Sequence, residues 1–373
     1  MSFIRKTSSN FLQIKSSLNS GVMMDVDVDN HKLIYHPERV TEWLEKGDCF
    51  PIYVEIGITN RCNHRCVFCA LDWFEKNPRD MDPEVMKRTL REMAECGVKS
   101  VMFAGEGEPS MHRDICEFIS YAKSQGLDVA LATNGVLFDQ EKLEKTLPSL
   151  SWVRFSVDAG TPQTYKKIHR GGSKDFDKVL ANLRDAVAIK KKDNLPVIIG
   201  VQLLLIPDNL DDLVPFVKIF KEIGVDNVQI KPYSQHPLSR NRFCIDYAQY
   251  PDIEEKIRQF ETLSFQVIFR SKTAQRLSLK REYQICYGLP FYTLIESDGA
   301  IIPCNLFHKN PEFCYGNLYD DSFVAIWNGE KRKHILQELI KNKTDYCRDG
   351  CRLDAVNRYL YQLKNPHPHV NFI

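Results

Sequence analysis

Between residues 52 and 232, short apolar runs alternate with stretches where apolar residues recur every three or four positions. The short runs, at 52–58, 100–103, 128–132, 152–157, 197–205 and 227–230, are mostly apolar throughout, as strands covered on both faces are. Phe176, Val179, Leu180, Leu183 and Val187 form one helical stripe between them. Leu210, Leu213, Val214 and Val217 form another, with Asn209 as its predicted N-cap. Met86, Leu90 and Met93 mark a third. About six βα units in roughly 180 residues specify an α/β fold with a parallel sheet and right-handed crossovers.

The rhythm breaks after residue 232. A polar stretch leads to a predicted helix at 253–262 and an apolar run at 265–269. From residue 283 onward come clustered cysteines and the turn signal Ser297-Asp298-Gly299, which predict a smaller domain organised around metal. The first 50 residues suggest a strand at 33–35 and a helix at 40–46. The expected division is therefore an N-terminal extension (1–50), a βα unit (51–235), a linker with a helix (236–282) and a metal domain (283–373).

The chain has 373 residues, 43% hydrophobic and 27% charged, which excludes a mainly disordered protein. A net charge of +1 gives no general pull toward nucleic acid or anionic membranes, so neither is an expected partner. The most apolar stretch, 197–206, is about half a membrane span and contains Gln202, so no spanning segment is expected. The first residues lead into no apolar core with a cleavage site, so no secretory signal is expected.

Cysteine changes the picture, because there are twelve. Disulfide frameworks suit short secreted chains. Here the cysteines cluster instead: Cys62, Cys66 and Cys69, then Cys286 and Cys304, then Cys347 and Cys351. Such clustering favours metal or iron–sulfur ligation in a reducing compartment, hence the cytoplasm. Cys62, Cys66 and Cys69 could also form one buried helical face, but Arg61, Asn63, His64 and Arg65 lie among them. A structural zinc would need a fourth ligand, which His64 could supply. A [4Fe–4S] cluster on three cysteines would keep one iron open to an outside ligand.

The pattern C-x3-C-x-Φ-C, read as Cys62-Asn-His-Arg-Cys66-Val-Phe-Cys69, resembles the signature of the radical S-adenosylmethionine (SAM) enzymes. The resemblance implies a partial (β/α)6 TIM-type barrel whose three cysteines hold a SAM-binding cluster. One electron would cleave SAM to methionine and a 5′-deoxyadenosyl radical, which takes hydrogen from a substrate. It implies Phe68 against the SAM adenine. Ala104-Gly105-Glu106-Gly107-Glu108-Pro109 is similar to the family segment that receives the SAM amine, with Glu108 favoured over Glu106 as the acceptor. Gly105-x-Gly107 lacks the third glycine and the acidic residue of a dinucleotide fingerprint. Asn134, Ser156 and Asp158, at strand ends, are expected SAM carboxylate and ribose contacts. Arg170, Lys231 and Tyr233 are weaker candidates for the substrate cavity.

The second group, with Gly299 between Cys286 and Cys304 and with Gly316-Asn317-Leu318 before Ile326-Trp327-Asn328, resembles the SPASM/twitch extension. The resemblance implies a second, auxiliary [4Fe–4S] cluster on Cys286, Cys304, Cys347 and Cys351. Zinc on the same four is the alternative, and Cys314 is a spare thiol. Cys244 stands alone, either a buried thiol or a hydrogen donor of the kind some epimerases use. The expected function is dehydrogenation or epimerisation of a small polar substrate, of carbohydrate, nucleotide-sugar or aminoglycoside type. An electron donor such as flavodoxin or ferredoxin is the expected partner. Peptide maturation is a second reading, and a zinc or electron-carrier protein without SAM chemistry is a third.

Overall fold

The computed structural model describes residues 28, 30–73, 77–243, 245–250, 252–277, 279–342 and 347–372. Helix α1 (Pro37–Lys46) leads to strand β1 (Tyr53–Ile56), which pairs in parallel with β2 (Ser100–Phe103) across helix α2 (Pro83–Glu95). Parallel pairing continues through β3 (Asp128–Thr133), β4 (Trp152–Ser156), β5 (Ile198–Leu205) and β6 (Asn227–Pro232). The intervening crossovers carry α3 (Ile115–Ser124), α4 (Gln140–Thr146), α5 (Pro162–His169), α6 (Asp175–Lys192) and α7 (Leu213–Ile223). All six apolar runs are therefore strands, in the order expected of a partial barrel.

Side-chain alternation divides each strand between two environments. Val54, Ile56, Val101, Phe103, Val153, Phe155, Val228 and Ile230 are fully buried in one core with Met86, Leu90, Phe118, Val179, Phe216 and Phe220 from the helices. Each such side chain contributes roughly 1.5–3 kcal/mol on burial. The alternate positions face inward. Tyr53, Met102, Ala104, Ala130, Ala132 and Trp152 make a separate inner cluster. Glu55, Arg154, Gln202, Gln229 and Lys231 occupy further inward positions, so the inner face is more polar than apolar runs alone suggest.

The sheet extends at both edges. Residues 253–262 form only a short helix, α8 (Ile253–Arg258), and the following run is β7 (Gln266–Phe269), which pairs in parallel with β6. After α9 (Ser271–Arg276), strand β8 (Tyr292–Ile295) returns to the opposite edge and pairs in parallel with β1. Strands β9 (Ala300–Ile302) and β10 (Gly316–Asn317) then add antiparallel, giving ten strands in one sheet among the described residues. The segment expected as a linker and the start of the metal domain thus both contribute to the barrel's own sheet.

Two local expectations are corrected. Residues 33–35 form a 3-10 turn, not a strand, and only Leu33 of the three is buried. Asn209 does not cap α7, which begins at Leu213. A 3-10 turn with Pro207 intervenes, and Asn209 instead donates to the Asp158 and Leu204 carbonyls while accepting from Ile206 N–H.

Helices α10 (Phe323–Asn328), α11 (Glu330–Lys341) and α12 (Asp354–Lys364) complete the C-terminal part. Trp327 fastens it to the N-terminal segment: its ring is 1% exposed and its Nε1 donates to the Cys49 carbonyl at 2.9 Å. The Arg332 guanidinium lies 3.7 Å from the Trp327 ring centroid and makes two bonds to Asp48. Removing this indole leaves a large void, so Trp327→Ala should cost about 3–5 kcal/mol in denaturant unfolding. A loss below about 1 kcal/mol would show that this joint is not packed as described.

Candidate active site at the strand ends

The first cysteine loop leaves the C-terminal end of β1, where a parallel barrel places its chemistry. Cys62, Cys66 and Cys69 form no disulfide and are of intermediate burial. Cys69 N–H donates to the Cys66 carbonyl at 3.1 Å, closing a turn. Burial pushes the Cys66 thiol well above its usual range, and Asp158, Cys62 and Cys69 add to the push. Three thiols on one loop are a donor set suited to a positively charged metal group.

Two histidines surround Cys66. The His169 Nδ1 lies 3.1 Å from Cys66 Sγ, while its Nε2 donates to the Val157 carbonyl at 2.7 Å. The His64 Nε2 lies 3.1 Å from Asp175, and Asp175 also accepts from Gly172 N–H. Burial holds both imidazoles neutral, His169 down to about 3. His64, Cys66 and His169 could together hold a single metal ion, in competition with the three thiols for Cys66. Sequence spacing gave no sign of His169 or Asp175, which reach the loop from 103 and 111 residues away.

The loop after β2 separates the two glutamates. Glu108 Oε1 accepts from Ser110 N–H, Ser110 Oγ and Thr133 Oγ1, and its Oε2 accepts from Asn134 N–H at 2.6 Å. Glu108 is thus held at the end of β3. Glu106 is turned toward the C-terminal part, where it accepts from Ser297 N–H at 2.6 Å and pairs with Lys309 at 2.9 Å. Lys309 also pairs with Asp298 and Glu296, and Glu296 bonds His308. Gly105 has φ +104°, a conformation open to glycine. A Cβ on Gly107 would lie 2.3 Å from the Arg61 carbonyl oxygen, so only glycine lets this loop touch the cysteine loop.

The remaining candidates scatter. Asn134 Nδ2 donates to Asn63 Oδ1 at 2.7 Å, tying β3 to the cysteine loop. Ser156 ends β4 beside Gln202 of β5. Asp158, at φ +59°, accepts from Leu204 N–H at 2.6 Å, and burial raises its carboxyl to about 7 against the pull of that bond, Lys231 and Arg154. Phe68 packs edge-on against His169 and beside Tyr233, Ile168 and Ile206. Arg170 caps α5 and is exposed. Cys244 lies outside the described residues.

The second cysteine group converges although its members span 65 positions, from 286 to 351. Burial raises the Cys286 thiol, and Cys351, Cys347 and Cys304 raise it further. Cys304 is raised to about 12 and Cys347 to about 11, again by burial first and then by Cys351. Asn357 Nδ2 lies 3.4 Å from Cys286 Sγ, a donor to a thiolate. Cys314 sits elsewhere, bonded to the Gly316 carbonyl and influenced by Lys331, Glu296 and Asp298.

The raised Asp158 carboxyl has a consequence for stability. Its folded value exceeds the unfolded one of about 3.9, so its contribution is complete below that value and is lost as pH climbs toward 7. Asp158→Asn should therefore flatten the fall in unfolding midpoint between about pH 5 and 7.5, measured by thermal melts. Parallel wild-type and variant curves would contradict this.

Comparison with known proteins follows the same division. Residues 56–230 match the Radical SAM superfamily model, and residues 286–352 match SPASM, an iron–sulfur cluster-binding domain. A probable GTP 3′,8-cyclase of Methanocaldococcus jannaschii is 31% identical over 175 residues, 46% of this chain and 55% of that protein. The chain thus spans about half the length of that relative. A tungsten-containing aldehyde ferredoxin oxidoreductase cofactor-modifying protein of Pyrococcus furiosus is 24% identical over 298 residues, 75% of this chain and 81% of that protein. The structure of Streptococcus suis SuiB bound to S-adenosylmethionine shares the fold, with TM-score 0.64 and 17% identity, over 82% of this chain and 72% of that one. This chain therefore contains a Radical SAM superfamily domain and a SPASM iron–sulfur cluster-binding domain, whose cofactors are [4Fe–4S] clusters and SAM.

Proposed function

We propose that Cys62, Cys66 and Cys69 hold the SAM-binding [4Fe–4S] cluster and that Cys286, Cys304, Cys347 and Cys351 hold an auxiliary one. The observation that supports this reading is that Cys62, Cys66 and Cys69 share the loop past the end of β1, while Cys304, Cys347 and Cys351 come near enough to Cys286 to raise its thiol. Such a three-cysteine cluster supplies one electron to SAM and yields methionine and a 5′-deoxyadenosyl radical.

The protein's own residues arrange that chemistry. Glu108, fixed by Ser110, Thr133 and Asn134, receives the SAM ammonium, while Glu106 ties the same loop to the C-terminal part. Gly105 and Gly107 keep that loop against the cysteine loop. Asn134, Ser156 and Asp158 line the strand ends for the carboxylate and ribose, and Phe68 packs beside them. Cys304 and Cys351 border Tyr292 and Arg348, so the second thiol set faces the inner side of β8. The substrate then sits in the barrel between the two sets, where hydrogen is removed from it. A cluster held by Cys286, Cys304, Cys347 and Cys351 would supply an acceptor for the electron released when the substrate radical is oxidised.

We read the substrate as a small polar molecule, supported by the names of the cyclase relatives, which act on a nucleotide. No relative reported above is named for a carbohydrate. SuiB, whose structure bound to precursor peptide SuiA is 18% identical to this chain, shares only the fold, so that peptide does not transfer. A small electron carrier of flavodoxin or ferredoxin type would reduce the clusters.

Anaerobic reconstitution should load about eight irons per chain, two clusters of four. Dithionite and SAM should then yield 5′-deoxyadenosine. Cys66→Ser should lose about half the iron and reduce SAM cleavage by at least a hundredfold. A colourless zinc protein, or undiminished cleavage by Cys66→Ser, would overturn the reading.

A further inference from the structure

The inner face of the barrel carries more positive charge than the established chemistry uses. Arg154 and Lys231 stand at inward positions of β4 and β6, since their neighbours Val153, Phe155, Val228 and Ile230 fill the outer core. Arg154 lies beside Ala132 and Gly200 on the flanking strands, whose small side chains leave it room to extend inward. Arg270 follows β7 with the same alternation, because Val267 faces the outer core. Arg352 enters from the second cysteine loop, pairs with Glu55 of β1 and lies 5.6 Å from the Tyr292 ring centroid. Arg348 comes from the same loop and neighbours Arg352, Cys304 and Tyr292.

Charge balance within this space is poor. Among the described residues, Glu55 is taken by Arg352 and Asp158 is held by Leu204 N–H. Among the described residues, no carboxylate forms an ion pair with Arg154, Lys231 or Arg348, and the buried Arg154 Nε has no hydrogen-bond partner. Burial, followed by Arg270, Arg154, Arg352 and Arg348, pushes the Lys231 ammonium well below its ordinary range. The chain as a whole is only +1, so this concentration is local. Arg154, Lys231 and Arg348 are half-buried and the Arg352 side chain is 39% exposed, so the space is open to a ligand, and cations crowded there are unfavourable until an anion joins them. Guanidinium groups match the tetrahedral oxygens of phosphate through paired hydrogen bonds, and a phosphoryl group brings more charge in less volume than a single carboxylate.

We propose that the barrel interior is a phosphate subsite, in which Arg154, Lys231, Arg270, Arg348 and Arg352 receive the phosphoryl group of a small-molecule substrate. This rests on the proposed placement of substrate between the two thiol sets, and it names the chemical class of that substrate. Two of the five cations stand on the loop that carries Cys347 and Cys351, so the auxiliary thiols and the phosphate subsite are built by one segment. A phosphoryl group fastened there leaves the unphosphorylated end of the molecule directed toward the strand ends that hold Asp158 and Cys66.

Anaerobic calorimetry on the holoenzyme with both clusters tests it, using inorganic pyrophosphate, ribose 5-phosphate, ribose and an oligoglutamate peptide as probes. Pyrophosphate and ribose 5-phosphate should bind saturably, and ribose at least about tenfold more weakly. Arg154→Gln and Lys231→Gln should each weaken the phosphorylated probes about tenfold or more, while Lys231→Arg should restore binding to within about threefold. Arg113→Gln, at a side chain 84% exposed, should bind as wild type. Equal binding of ribose and ribose 5-phosphate, binding of the peptide without the phosphates, or undiminished binding by the glutamine variants would overturn the subsite. The same preparation is assayed for 5′-deoxyadenosine from SAM. Phosphate binding without SAM cleavage would sink the functional reading alone, and SAM cleavage without phosphate selectivity would sink the subsite alone.

Discussion

Strand β1 is hydrogen-bonded on both edges, to β2 on one side and to β8 on the other, and everything functional hangs on that double ladder. A four-residue strand has few bonds of its own, so its position is set by its neighbours and by Val54 and Ile56 in the core. Directly past its end begins the loop of Cys62, Cys66 and Cys69. Pairing with β8 brings the C-terminal part, and with it the second thiol group, onto the same sheet. Glu55, in the middle of β1, then meets Arg352 from the far end of the chain. One short strand thereby fixes the separation between two groups of cysteines that lie more than 200 residues apart in sequence.

Burial without compensation is the second constraint. Burial, with neighbouring thiols adding to it, raises Cys66 and Cys286 well above the ordinary thiol range. A metal group bound in place of the protons would hold such thiols as thiolates, and its binding would then be part of folding. The side chains around each group fit that role. His64 and His169 flank Cys66, and Asn357 faces Cys286. The link from Glu106 to Ser297 and Lys309 joins the loop after β2 to the C-terminal part, so the two thiol groups share one mechanical frame.

Much of this was legible from residue pattern. The six barrel strands were visible because their outward residues are branched or aromatic and their helices carry clean stripes, as in Phe176 to Val187. The cysteine spacing and the Gly105–Glu108 segment were local, so they too could be read directly. Strand β7 showed only as the apolar run 265–269, and β8 not at all, because the ladder between Tyr53 and Tyr292 spans 239 positions and leaves no local trace. Asn209 misled because capping residues look alike whether they serve a helix or a carbonyl such as that of Asp158. His169 and Asp175 were invisible for the same reason as β8: only folding brings them to the loop. Arg154 and Lys231 showed in sequence as isolated charges in apolar strands, and only alternation in the folded sheet gave them a common direction.

Electron paramagnetic resonance of the dithionite-reduced holoenzyme, recorded with and without SAM, tests the central claim most directly. The account predicts two [4Fe–4S]+ signals, of which SAM shifts one, with the SAM-sensitive signal absent from Cys62→Ala and the other absent from Cys304→Ala. A single signal, two signals both indifferent to SAM, or a SAM-sensitive signal that survives Cys62→Ala would contradict it.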